Sequence, residues 1–398
     1  MHIVLLNDDS LPTARGGAAV VVDMLQRGLE AGGHRVTLIT THRSGPMIRN
    51  GTLISIPVEY PIRERHFRCI HNPEISKILA SLFHELRPDI VHAHNIHTYL
   101  TYDALHAARR YTDHIFLTAH DTFLVSFGRV KTPHRMHFWE HLAIAGRRYN
   151  PWRNSVIRHI LQKTETRVIA ISKILKSFLE MNEIPVSAVV YNGTDLLFHT
   201  TDSLVSRAEV VRQAHHDTRE SVPTILTGGR VSDDKGMSVF FKAAAIVQKE
   251  ISDVQFCIVG DKERIQPYLT DVSPKVREQT VTPGWLSREE MHATYDSCDV
   301  VTTPSIYLDP FNLMNIEAMA HGKPVVGTCF GGTPEIVEDN ITGLIRDPKD
   351  TDSYAAALVT LLKNKELAKK MGEAGRKRME EKFSVERMLE GYLHAYGE

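Results

Sequence analysis

Two carboxylates, Asp309 and Glu317, stand eight positions apart in the stretch DPFNLMNIEAMAHGKPVVGTCFGG, residues 309–332. Ahead of them lies DVVTTPS (299–305), a β-branched run that reads as a buried strand, and the Ala- and Met-rich run from about Leu313 reads as a helix. A helix starting there directs unpaired N–H groups at the loop, which favours an anion such as a diphosphate at its mouth. Ionised carboxylates only accept hydrogen bonds, so Asp309 and Glu317 suit hydroxyl groups on either side of that anion. A nucleotide sugar has this layout: ribose hydroxyls, diphosphate, sugar hydroxyls. Asp in a turn and Glu early in a helix are also ordinary, so the pair alone decides nothing.

The elements that would position these residues repeat along the chain. In the first half HIVLL (2–6), RVTLITT (35–41), TLISIP (52–57), DIVHAH (89–94), IFLTAH (115–120), RVIAIS (167–172) and AVVYNG (188–193) alternate with helical patterns. After a polar stretch at 196–221, read as linker plus one surface helix, the pattern resumes with TILTGG (224–229), QFCIVG (255–260), DVVTTPS, PVVGT (324–328) and GLIRD (343–347). Short apolar runs separated by helices predict parallel sheets covered on both faces, hence the α/β class with two doubly wound domains. Two such domains leave a cleft, and ligands of open parallel sheets gather at the carboxyl ends of the strands. The tail from Ser353 reads as amphipathic helices, and no repeat of 20–50 residues is visible.

Bulk properties narrow the function classes. At 398 residues, 42% hydrophobic and 24% charged, the chain is globular and long enough for two cores. Cys69, Cys257, Cys298 and Cys329 are widely spaced, which points away from a disulfide framework or thiolate zinc site and toward a reducing cytosol. MHIVLLNDDS enters a strand without a basic leader, and no apolar run reaches spanning length, so a cytoplasmic location without a membrane-crossing helix is expected. The first strand is not followed by GxGxxG, which argues against a dinucleotide-dependent dehydrogenase.

The net charge of −1 conceals +6 over residues 1–200 and −7 over 201–398. Between 129 and 167 nine Lys and Arg face only Glu140 and Glu165, with Phe138, Trp139 and Trp152 interleaved. A solvated helical face is the ordinary reading; docking on an anionic membrane surface or acceptor is the functional one. No nucleic-acid recognition module accompanies the patch. His92, His94 and His97 in HAHNIH invite a metal reading, yet no carboxylate or further ligand is near in sequence. DTD (350–352) reads as helix capping, and no metal is expected.

These motifs resemble the donor-binding segment of the retaining GT-B glycosyltransferases of family four, in which Glu-x7-Glu precedes EAMAxGxPVV and GGxxE. Here EAMAHGKPVV (317–326) and GGTPEIV (331–337) match. The resemblance extends through RGGAAVVVDMLQRGLEAGGHRVTLIT (15–40), PDIVHAHNIH (88–97), TAHD (118–121), VIAIS (168–172), VVYNGTD (189–195), GGRVSDDKG (228–236), CIVGD (257–261) and PGWLSREEM (283–291).

It implies an acceptor-binding domain over 1–198, a nucleotide-sugar domain over 199–383 and a final helix, about 384–398, packing back on the first. It also implies retaining hexosyl transfer without a metal or other cofactor, in the manner of enzymes of lipid and polysaccharide assembly. The donor would be a UDP- or GDP-sugar as co-substrate and the acceptor a glycan, lipid-linked or small molecule, with work at the inner face of the membrane.

Residue by residue, Gly16 and Gly17 would let backbone approach the donor phosphates and acceptor, and His120, with Asp121 beside it, would sit by the transferred sugar. Arg230 and Lys235 would bind the diphosphate and stabilise its growing charge. Glu317 would take the ribose hydroxyls and Asp309 those of the sugar, with backbone N–H groups near Phe311, Asn312, Leu313 and Met314 meeting phosphate and sugar. Two positions depart from the family, Asp309 where Glu is usual and Asn312 where Gly is usual. The shorter acid must reach further, and a Cβ at 312 narrows the backbone approach. A sugar-nucleotide epimerase and a non-catalytic nucleotide-sugar-binding subunit are the competing readings.

Overall fold

A computed structural model describes residues 1–11, 16–195 and 222–397. The chain divides into two compact units, Met1–Asn192 with Val385–Glu398, and Gly193–Ser384.

Among the described residues the first unit is built on eight strands: β1 (His2–Leu6), β2 (Arg35–His42), β3 (Ile48–Asn50), β4 (Leu53–Pro57), β5 (Ile90–Ala93), β6 (His114–Ala119), β7 (Arg167–Ala170) and β8 (Ala188–Val189). Their order is β3-β4-β2-β1-β5-β6-β7-β8, parallel except for the β3–β4 pair. The chain winds outward from β1 in one direction and then, from β5, in the other. Every residue of β1 is buried, the continuous apolar pattern of a central strand covered on both faces.

The helix Gly17–Ala31 buries Val21, Val22, Leu25 and Leu29, which recur on one helical face. The last helix, Val385–Tyr396, belongs to this unit: Leu389 occupies the space a Cβ on Gly28 would need, and Val190 lies against Gly391.

Three features differ from the sequence reading. β8 is two residues long, not the six of AVVYNG, because its partner β7 stops at Ala170 before Ser172 caps the next helix; Val190 N–H adds one last bond to the Ala170 carbonyl. β3 is an exposed antiparallel edge, too short and polar to stand out in the sequence. β11 in the second unit, Thr280–Gly284, was hidden by a Pro and a Gly in TVTPG. The polar stretch 196–221 lies outside the described residues.

The second unit holds β9 (Thr224–Gly228), β10 (Gln255–Val259), β11, β12 (Val300–Thr303), β13 (Val325–Thr328) and β14 (Gly343–Arg346). All are parallel, in the order β11-β10-β9-β12-β13-β14. Phe240, Phe241, Phe256, Val300, Tyr354 and Leu358 share one core, where the helices Met237–Glu250 and Thr351–Lys363 meet the sheet. The winding direction reverses between β9 and β12, and the carboxyl ends of strands at such a reversal are where ligands of open parallel sheets gather.

Candidate functional site

Both loops at that reversal carry residues singled out above. β9 leads through Gly228 and Gly229 to Arg230 and Lys235; β12 leads through Pro304 and Ser305 to Asp309 and the helix Leu313–Ala320. The loops are locked together by backbone. Gly236 adopts φ +79, where a Cβ would overlap the Pro304 carbonyl oxygen, and Ile306 N–H donates to the Asp234 carbonyl at 2.9 Å.

That registration brings Lys235 Nζ to 2.6 Å from Asp309 Oδ2, with the Ser305 hydroxyl donating to the same oxygen at 3.4 Å. The side chains are 20% and 7% exposed. Burial by itself would lower the Lys235 pKa, but the Asp309 charge, the Tyr307 ring at 5.7 Å and the Asp309 hydrogen bond reverse this, leaving the ammonium more firmly protonated than usual. Asp309 is held from the other side as well. Gly332 N–H donates to its carbonyl at 2.8 Å, and Gly331, at φ +64, packs where a Cβ would overlap the Asp309 backbone. The Gly-Gly turn after β13 therefore sets the position of the acid in the loop after β12.

The helix Leu313–Ala320 starts at this point. Its cap is Asn312, whose side-chain oxygen accepts from Met314 N–H at 3.2 Å. Met314 N–H, one of the backbone groups expected to meet phosphate and sugar, thus bonds the Asn312 carboxamide in this structure. Phe311 turns inward, edge-on to Phe383 at 5.9 Å, and Leu313 is the first helical residue. Asn315 is fully buried and ties the helix to β12, accepting from the Thr303 hydroxyl at 2.8 Å.

Glu317 is half-buried and receives the hydroxyl of Tyr295 on Oε2 at 2.7 Å. Burial raises its pKa above the ordinary carboxylate value, partly offset by the Tyr295 bond and by Arg288 and His321. Tyr295 itself is buried and stacked on His321, its phenol kept protonated by burial and the adjacent acid. Nothing in the sequence singled Tyr295 out, since it lies 22 residues from Glu317 on another helix, Arg288–Ser297. Arg230 is exposed at the start of the loop that leaves β9.

Gly16, Gly17 and His120 belong to the first unit. Gly16 caps the helix Gly17–Ala31 with extended backbone and open space where a Cβ would point; residues 12–15 before it lie outside the described residues. His120 directly follows β6, and its Nε2 is 2.9 Å from Nδ1 of His94, just beyond β5. His94 in turn stacks near His92, whose two nitrogens meet the Tyr396 and Thr118 hydroxyls at 2.6 and 2.8 Å. Burial pushes the pKa values of His92 and His120 down to about 3, and that of His94 well below the usual value. The rings are therefore neutral and bonded to one another or to hydroxyls. Among the described residues no group of three or more His, Cys, Asp or Glu is placed to hold a metal ion.

Asp350 caps the helix Thr351–Lys363 through Ser353 N–H at 3.1 Å, the capping role read from DTD. In the basic segment Trp139 and Trp152 are 74% and 73% exposed, and Phe138, Arg147 and Arg148 also face solvent. Arg153 departs from that surface: it is buried over the Phe127 ring at 4.3 Å and contacts Cys69 Sγ at 3.4 Å. No helix among the described residues is long and apolar enough to cross a membrane.

Comparison with known proteins places this geometry. Residues 15–197 match the model of glycosyltransferase family 4 and residues 212–378 that of the glycosyl transferases group 1. An uncharacterized glycosyltransferase of Methanocaldococcus jannaschii is 25% identical over 100% of this chain and 98% of its own. Lipopolysaccharide 1,2-N-acetylglucosaminetransferase of Salmonella typhimurium is 29% identical over 52% of this chain and 55% of its own, so that match spans about half of each protein. The Anabaena protein HepE, solved in complex with UDP and glucose, superposes with a TM-score of 0.71 at 17% identity, covering 100% of this chain and 99% of its own, a likeness of fold. With two family models covering most of its length and this architecture throughout, the chain belongs to the group 1 glycosyltransferases of the GT-B type.

Proposed function

We propose that the protein transfers a hexosyl group, with retention and without a metal, from a UDP- or GDP-sugar to a glycan, lipid-linked or small-molecule acceptor, the second unit holding the donor and the first the acceptor. The observation that carries this reading is the joining of Lys235 to Asp309 at the β9/β12 reversal, with Glu317 on the helix that begins there.

The chemistry follows from what each group has left to offer. Asp309 Oδ2 is taken by Lys235 and Ser305, and Oδ1 remains to accept from a sugar hydroxyl. Glu317 Oε2 is taken by Tyr295, and Oε1 remains for a ribose hydroxyl. Lys235, fixed by its acid, and the exposed Arg230 supply positive charge where the leaving diphosphate gains negative charge, and fixed charges need little reorganisation as the bond breaks. Gly16 and Gly17 are assigned to close backbone approach and His120 to the transferred sugar, as the family resemblance implies. HepE, which shares the fold, was solved with UDP and glucose, and this supports a nucleoside diphosphate sugar as donor.

Docking on an anionic membrane surface is part of the same proposal. Its support is the pair of exposed tryptophans in the arginine-rich segment.

A thermal-shift screen against UDP-, GDP- and ADP-sugars tests the donor assignment, because a ligand bound only by the folded protein raises its melting temperature. One nucleotide sugar should raise Tm by about 5 °C when present at about 100 times its Kd. No shift with any of them would refute the reading.

A further inference from the structure

Resting on the assignment of His120 to the sugar, we infer that His94 is a positioning residue that fixes the tautomer of His120, so that His120 offers a proton on Nδ1 rather than a lone pair.

The 2.9 Å contact between His94 Nδ1 and His120 Nε2 requires one ring to donate and the other to accept. A doubly protonated ring is excluded by burial, which holds both imidazoles neutral. Two arrangements remain, and His94 Nε2 separates them. It is buried and has no hydrogen-bond partner among the described residues. If His120 donated, the single proton of His94 would sit on Nε2 as an orphaned buried N–H. If His94 donates from Nδ1, Nε2 carries only an unused lone pair. Buried N–H groups without a partner are rarer than under-used acceptors, so the second arrangement is favoured. His120 then accepts on Nε2, and its one proton is on Nδ1.

His92 keeps this stack in place. Its ring centroid lies 4.2 Å from that of His94, while the Tyr396 and Thr118 hydroxyls engage both of its nitrogens. Three neutral imidazoles on adjoining strands thus end in one oriented donor. Its consequence is that His120 acts on the sugar as a fixed hydrogen-bond donor and not as a general base.

The test replaces His94 with Phe, which keeps a ring in the space, and with Asn, whose amide can donate from nearly the position of Nδ1. In nitrogen-15-labelled protein, the His120 signals are identified by their loss in His120→Ala. Wild type should show His120 protonated on Nδ1 alone, His94→Phe, which takes the donor away from Nε2, should let the Nε2-protonated form appear beside it, and His94→Asn should restore Nδ1 alone. In parallel, kcat should fall about 10- to 100-fold in His94→Phe with the donor KM nearly unchanged, and recover substantially in His94→Asn. Wild-type His120 protonated on Nε2, or a tautomer indifferent to His94→Phe, would overturn the inference. A His120→Ala protein that transfers normally would overturn the assignment of His120 to the sugar, and the catalytic half of the inference with it; the spectra decide the tautomer separately.

Discussion

The ammonium of Lys235 lies 2.6 Å from a carboxylate oxygen of Asp309, fastening the loop that leaves β9 to the loop that leaves β12. The two residues are 74 positions apart and meet because Gly236 and Gly331 each let one loop backbone lie against another. The pair is both a structural fastening and the proposed charge centre for the donor, and these roles can be separated.

Lys235→Ala strands a mostly buried carboxylate beside the Ser305 hydroxyl, and should cost about 3 kcal/mol or more in unfolding free energy, read by urea denaturation. Lys235→Met combined with Asp309→Asn removes both charges and should recover much of that stability. Transfer should stay at least about 100-fold down in both proteins, since no fixed cation replaces the ammonium. Recovery of transfer together with stability would leave Lys235 a structural residue only.

Asn312→Gly removes the carboxamide that now bonds Met314 N–H. Replacing an Asn cap by Gly costs only a few tenths of a kcal/mol, so the helix should persist. A freed N–H to a charged phosphate is worth about 1.5 kcal/mol, so affinity for the nucleoside diphosphate should rise about 10-fold in calorimetry. Weaker binding would mean that Asn312 itself contacts the ligand.

Glu317 accepts from ribose most strongly when ionised, and its pKa lies above the usual carboxylate value of 4.5. Donor binding should therefore weaken on acidification while the pH is still above 4.5. The Tyr295 hydroxyl favours the ionised form. Tyr295→Phe should consequently move the onset of weakening to higher pH, as read from Kd against pH. An unmoved onset would show that the Tyr295 bond does not tune the acid.

Acid should destabilise the fold early. His92 and His120 have pKa values near about 3 in the folded chain, and His66 and His292 near about 4, against 6.5 when unfolded. Such groups contribute stability that is complete above the unfolded value and is lost as pH falls through the folded ones. Asp8 acts the other way: buried on three backbone N–H groups with a pKa raised to about 7, it loses stability as pH rises from 3.8 toward that value. Four histidines outweigh one acid, so urea midpoints should fall as pH drops below 6.5. Across the Asp8 window, wild type should lose ground to Asp8→Asn as pH rises.

Trp139→Ala with Trp152→Ala removes two side chains that solvent already reaches, so the fold should be unaffected. If the segment docks on an anionic bilayer, flotation with phosphatidylserine vesicles should fall at least about 10-fold, each ring being worth about 1.5–3 kcal/mol on burial. Equal flotation would confine the patch to a solvated face.

Where function depended on segments, the sequence carried much of it. Continuous apolar strands, helix starts and the motif at 317–326 placed Asp309, Glu317 and Lys235 after strands, and the structure has them there. Pairing across distance was not readable. Lys235 with Asp309, Tyr295 with Glu317 and His94 with His120 each join different elements, and no local spacing encodes such contacts. Asn312 was the avoidable omission, because an Asn directly before a helical run is itself a capping signal. β8 was overextended because β-branched residues continue past the end of its partner strand.

The measurement closest to the central claim is a calorimetric titration of UDP- and GDP-sugars into wild type and Glu317→Ala, with far-ultraviolet circular dichroism as the fold control. The account predicts saturable binding of one of these donors by wild type and a loss of about 100-fold in the variant at unchanged ellipticity, the scale expected when a charged group's hydrogen bond is removed. Equal affinity in the two proteins, or no heat of binding with any nucleotide sugar, would contradict it.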